Sequence, residues 1–149
     1  MRLCILCDTS GSMSEGGKQF ALLTALKTLE QYIWLKDLDI EIIILTLGAV
    51  EHKLDWKDYR SVCNTVGGSF ELRQRLGQPA VKEADKLLIL SDCCWKVQDK
   101  RAFINLTLSK GQDFAKALII GNEADSQSRS ANFIPADNLL ALLERWLSC

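Results

Sequence analysis

Asp8, Ser10 and Ser12 stand two residues apart in the run Asp8-Thr9-Ser10-Gly11-Ser12-Met13-Ser14. In an extended turn alternate side chains project the same way, so this spacing aims one carboxylate and two hydroxyls at one point. A second carboxylate, Asp92, follows the apolar run from Lys86 to Leu90 and Ser91. The Gly67-Gly68-Ser69 turn adds a further hydroxyl, Ser69, with Thr65 as its competitor. All are hard oxygen donors, the set preferred by Mg²⁺, Mn²⁺ or Ca²⁺. Two carboxylates offset a divalent charge, while hydroxyls and water fill the shell and leave room for one external ligand. A carboxylate from a protein partner is the natural candidate. The plainer alternative is a strand-to-helix turn whose short polar side chains cap the helix, with Asp92 an ordinary turn residue and Ser69 an N-cap.

Positioning these groups requires strands that end where they begin. Leu3 to Cys7 is a short continuous apolar run ending at Asp8, as expected of a strand covered on both faces. Ile40 to Leu47, Lys86 to Leu90 and Phe114 to Ile120 are three more buried-strand candidates, and Val50 to Trp56 alternates like an edge strand. Between them lie helical patterns. Leu22, Leu26, Leu29 and Ile33 recur at intervals of four, three and four within about Lys18 to Lys36. A short helix is expected from near Ser69, another over Val97 to Ser109 with Phe103 and Leu106 on one side, and a last one through Leu139, Leu143, Trp146 and Leu147, capped at Asp137. Asn122 to Asn132 is polar and aperiodic, a surface loop. Strands alternating with helices predict an α/β fold: a doubly wound, mostly parallel sheet with helices on both faces and one antiparallel edge strand. Such sheets bind ligands beyond the carboxyl ends of their strands, where Asp8 and Asp92 fall.

The composition fits this picture. With 149 residues, and no repeat or linker to split them, the chain reads as one domain spanning 1–149. Its 18 basic and 19 acidic side chains give a net charge of −1, which lacks the footprint of a nucleic-acid binder. No apolar stretch approaches the roughly 18 residues of a membrane span, and the amino-terminal run is too short for a secretory signal. A cytoplasmic location with reduced thiols is expected. Of the six cysteines, Cys4 and Cys7 form a C-x-x-C, but on a strand their sulfurs point to opposite faces and cannot share one metal. Cys93 and Cys94 follow Asp92 and, with Cys7 preceding Asp8, are redox-sensitive only if these strands neighbour each other. His52, the single histidine, is placed on the surface, and Trp95 is expected to be exposed beside the metal.

The Asp8-Thr9-Ser10-Gly11-Ser12 run resembles the D-x-S-x-S motif of von Willebrand factor type A (vWA) domains. The resemblance implies a metal-ion-dependent adhesion site at the top of a doubly wound sheet. In that family a threonine after a Gly-Gly turn and an aspartate ending a later strand complete the site; Gly67-Gly68-Ser69 and Leu90-Ser91-Asp92 match them by position. The implied metal set is Asp8, Ser10, Ser12, Ser69 and Asp92, holding Mg²⁺ (or Mn²⁺ or Ca²⁺). The implied function is non-enzymatic binding to an acidic side chain of a partner protein, and small stand-alone bacterial members of the tellurite-resistance type look similar in size. This chain departs from the family pattern in having Ser69 for threonine, Cys93 where glycine is usual, and a short length.

Two other functions compete. A haloacid-dehalogenase-type phosphatase also places an aspartate after its first strand, but needs a second aspartate two residues on as general acid. That position is Ser10, and no lysine is evidently placed for phosphate unless Lys86 or Lys96 reaches it. The other competitor is a metal-free interaction domain of the same fold.

Overall fold

The computed structural model describes residues 1–46, 53–65, 72–121 and 130–148. Six strands form one sheet: β1 (Arg2–Cys7), β2 (Glu41–Thr46), β3 (Lys53–Asp55), β4 (Lys86–Ser91), β5 (Ala115–Ile119) and β6 (Phe133–Pro135), in the order β3-β2-β1-β4-β5-β6. Every neighbouring pair is parallel except β2 with β3, the antiparallel edge. The helices are α1 (Lys18–Leu35), α2 (Leu72–Leu76), α3 (Pro79–Lys82), α4 (Val97–Lys110) and α5 (Leu139–Trp146).

The alternation of β1 sorts its side chains between two cores. Leu3, Ile5 and Cys7 face α1 and α5, joined by Leu22, Leu26, Leu29, Leu143 and Trp146. Cys4 and Leu6 face the opposite layer with Leu72, Val81 and Phe103 from α2, α3 and α4. A central strand buried on both faces is why its sequence is continuously apolar. The two sulfurs of the C-x-x-C accordingly sit in different cores.

Several local expectations are corrected. A sixth strand, β6, pairs with β5 where only a loop and helix entry were expected. It is three residues long and includes Pro135, which an edge strand tolerates. Asn132, assigned to the preceding loop, is buried, and its Nδ2 donates to the carbonyls of Gln112 and Ala115 (2.8 and 2.9 Å), anchoring the start of β6. Residues 122–129 of that loop lie outside the described set. The polar connection after β3 is a 3-10 segment, Trp56–Thr65, kinked at Asp58, that buries Tyr59 and Val62. Asp137 caps nothing: it lies in a 3-10 turn, Ala136–Asn138, and α5 starts after Asn138 without a side-chain cap. Among the described residues no helix is long and apolar enough to cross a membrane.

Candidate metal centre

β1 connects onward to β2 on one side of itself, while β4 pairs on its other side, so the loops after β1 and β4 flank the point where strand order reverses. The Asp8 amide donates to the Leu90 carbonyl (2.8 Å), tying the two loops together. The chain leaves β1 through Asp8 and enters a 3-10 turn, Gly11–Ser14, whose Met13 is buried in the core beside α1. That plug holds Ser12 at the exposed rim. Left-handed backbone at Gly16 and Gly17 (φ 59° and 75°) then turns the chain into α1.

Asp8, Ser10, Ser12 and Asp92 are brought together. Ser10 Oγ and Ser12 Oγ lie 3.3 Å apart, and Ser12 Oγ donates to Asp92 Oδ2 across the two loops at 2.9 Å. Asp8 is buried; its Oδ1 accepts from the Ser10 amide (2.9 Å) and its Oδ2 from Ser91 Oγ (2.5 Å). Burial pushes the Asp8 carboxyl above the usual carboxylate range and the charge of Asp92 pushes the same way, while hydrogen bonds from Ser10 and Ser91 oppose them. Asp92 Oδ1 accepts from the Cys94 amide at 3.2 Å. Neither Ser10 nor any other side chain caps the 3-10 turn or α1, so the capping alternative does not account for these residues. Ser69 and the side chain of Thr65 lie outside the described residues, as does His52.

Two residues of this cluster were not singled out in the sequence. Lys18, the first residue of α1, is buried; its Nζ lies 3.2 Å from Asp92 Oδ2 and donates to the Ser12 carbonyl at 3.3 Å. The signal was present, because stepping back four residues from Leu22 extends the apolar face of α1 to Lys18. Ser91 is the other. Besides donating to Asp8, its Oγ accepts from the Cys93 amide (3.1 Å) and from Trp95 Nε1 (2.9 Å). Ser91→Ala is therefore expected to take an acceptor from two buried N–H groups and loosen Asp8, costing about 2–3 kcal/mol in urea unfolding. A loss below about 0.5 kcal/mol, the scale of an ordinary surface change, would show that the hub is not needed.

Trp95 is not exposed as expected but 6% accessible, its indole turned inward to Ser91 and packed against Phe103 and Phe133. Cys93 adopts left-handed backbone (φ 59°), a conformation costing a side chain about 1–2 kcal/mol, while its buried sulfur fills the core. Burial pushes the Cys7 and Cys93 thiols far above the ordinary thiol range, the opposite of a reactive thiolate; Cys94 is exposed. Lys86 sits at the start of β4, over the Trp146 ring, a strand's length of roughly 20 Å from the site, and does not reach it.

The donor chemistry fits a hard cation: two carboxylates and two hydroxyls, with a carboxyl whose burial penalty a cation would relieve. Thr9 Oγ1, buried in the same loop, has no hydrogen-bond partner among the described residues. Among those residues there is no group of three or more His, Cys, Asp or Glu side chains that could hold a metal.

A mostly parallel sheet of this order, with helices on both faces and an antiparallel edge, is a vWA-like, Rossmann-like α/β fold. Solved structures share it. The manganese-loaded TRAP protein of Plasmodium vivax superposes with a TM-score of 0.60 at 14% identity, over 99% of this chain and 73% of that one. An aerotolerance-related membrane protein of Bacteroides fragilis, carrying multiple mutations to serine, matches with a TM-score of 0.58 at 9% identity, over 99% and 97%. The RO (RSR) protein of Deinococcus radiodurans gives 0.52 at 14%, over 97% of this chain but only 34% of its own. No protein-family model matches the chain, and no curated sequence matches it. Likeness at these identities shows the fold.

Proposed function

We propose that the chain is a non-enzymatic protein-binding module of the metal-dependent adhesion type, working in the cytoplasm as a single domain. A divalent cation, Mg²⁺ or Mn²⁺ or Ca²⁺, is held by Asp8, Ser10, Ser12, Ser69 and Asp92, and supplies a Lewis-acidic position for an acidic side chain of a partner. The observation that carries this reading is the hydrogen bond of Ser12 to Asp92, which joins the carboxylate and hydroxyls of one loop to the carboxylate of the other. The manganese carried by the Plasmodium vivax neighbour supports a divalent ion in this fold. The finer reading, a bacterial member of the tellurite-resistance type, rests on the Asp8-Thr9-Ser10-Gly11-Ser12 motif.

Calorimetric titration with Mn²⁺ and Mg²⁺ tests the site. Wild type is expected to bind one ion, and Asp8→Ala to weaken binding by about tenfold or more, a loss of about 1.4 kcal/mol. Identical thermograms from the two proteins would favour the metal-free interaction domain.

The phosphatase reading gains Lys18, a buried lysine beside the carboxylates. It still lacks a proton donor two residues after Asp8, since the Ser10 hydroxyl does not ionise near neutral pH. Turnover of a generic phosphate ester would revive it.

A further inference from the structure

Lys18 stands out because lysine is rarely buried without a charged partner. Its side chain is 2% accessible and that of Asp92 3%, with 3.2 Å between the charged atoms. The stem is walled in as well: a Cβ placed on Gly121, just beyond β5, would meet Lys18 Cε at 3.3 Å and Cγ at 3.6 Å. The head is directed at the same Asp92 Oδ2 that accepts from Ser12. Lys18 therefore occupies the charge-neutralising role that a divalent cation would take at this carboxylate. An ammonium and a divalent ion repel twice as strongly as two unit charges, and burial removes the water that would screen them. They do not share one carboxylate oxygen easily.

We propose that Lys18 is a built-in counter-ion of the cation site. Its ammonium balances Asp92 when no metal is present, and a divalent ion gains full access to Asp92 only by displacing Nζ. Metal binding is thereby weakened and made to compete with an internal ion pair, while the metal-free site stays folded. This rests on the metal reading above and adds a residue that sets the site's affinity.

The test uses wild type, Lys18→Met and Lys18→Gln, the amide keeping a polar head without its charge. Mn²⁺ binding is measured by calorimetry, and thermal midpoints are measured in EDTA and in excess Mn²⁺. Both variants are expected to bind Mn²⁺ about tenfold or more tightly than wild type. Their midpoints should fall in EDTA and recover with Mn²⁺, whereas the wild-type midpoint should change little. On wild type itself, reductive methylation read by peptide mass mapping should modify Lys18 in excess Mg²⁺ and spare it in EDTA, which needs no variant to fold. If wild type binds metal but the variants bind no more tightly, or Lys18 stays protected with metal bound, the counter-ion role is overturned and the metal reading survives. If wild type, Lys18→Met and Lys18→Gln all fail to bind Mn²⁺, both are overturned.

Discussion

Asp92→Asn, measured by urea unfolding in EDTA, is expected to lower stability by about 3–5 kcal/mol, a large part of the total for a chain of this size. The reason is asymmetry. Lys18 and Asp92 are both buried, and their attraction offsets the cost of removing each from water. Asparagine keeps the shape and can still accept from Ser12, but it removes a negative charge from 3.2 Å beside the buried ammonium of Lys18. The double change Lys18→Met with Asp92→Asn removes both charges and should recover most of the loss, because replacing a buried pair by neutral groups of similar volume is often close to neutral. A double-mutant cycle would then show strong coupling between the two sites. An Asp92→Asn protein within about 0.5 kcal/mol of wild type would mean that the pair carries little of the stability.

The pattern of buried strands was legible because a parallel sheet covered on both faces leaves no polar positions to disguise it. β1, β2, β4 and β5 fall on the expected apolar runs with boundaries shifted by a residue or so. The elements that escaped are those with too few residues to carry a period: β6, the four-residue α3, and the 3-10 segment after β3. Each is held by tertiary contacts, such as the carbonyls that take the Asn132 amide, and such contacts leave no local spacing to read. At the site, Asp8, Ser10 and Ser12 were visible through their two-residue spacing, and Asp92 through its place at a strand's end. Lys18 carries no such mark, because a lysine at a helix start is ordinarily solvated and only its tertiary partner Asp92 shows otherwise. Trp95 was misplaced for a related reason. Proximity in sequence to Asp92 says nothing of direction, and the turn at Cys93 sends the indole inward.

That inward turn sets up the second large effect. Phe103, fully buried on α4, lies 5.6 Å from the Trp95 ring and 5.3 Å from Phe133, both in near-perpendicular or edge geometry. The three rings fill the space between α4 and the β4 and β6 end of the sheet, and Trp95 in turn donates to Ser91, which donates to Asp8. Phe103→Ala is expected to cost about 3–5 kcal/mol, from lost burial and from a cavity that two rigid rings cannot collapse into. Phe103→Leu, which keeps most of the volume, should cost less than about 1.5 kcal/mol. The near-UV circular dichroism of Trp95 should weaken in Phe103→Ala, because the ring loses the edge contact of Phe103. With Trp95 loosened, the hold on Ser91 and hence on the Asp8 carboxylate slackens, so the cation site should feel a substitution made in the core beneath it. A loss under about 1 kcal/mol, with the tryptophan band unchanged, would show that this aromatic cluster does not support the loop.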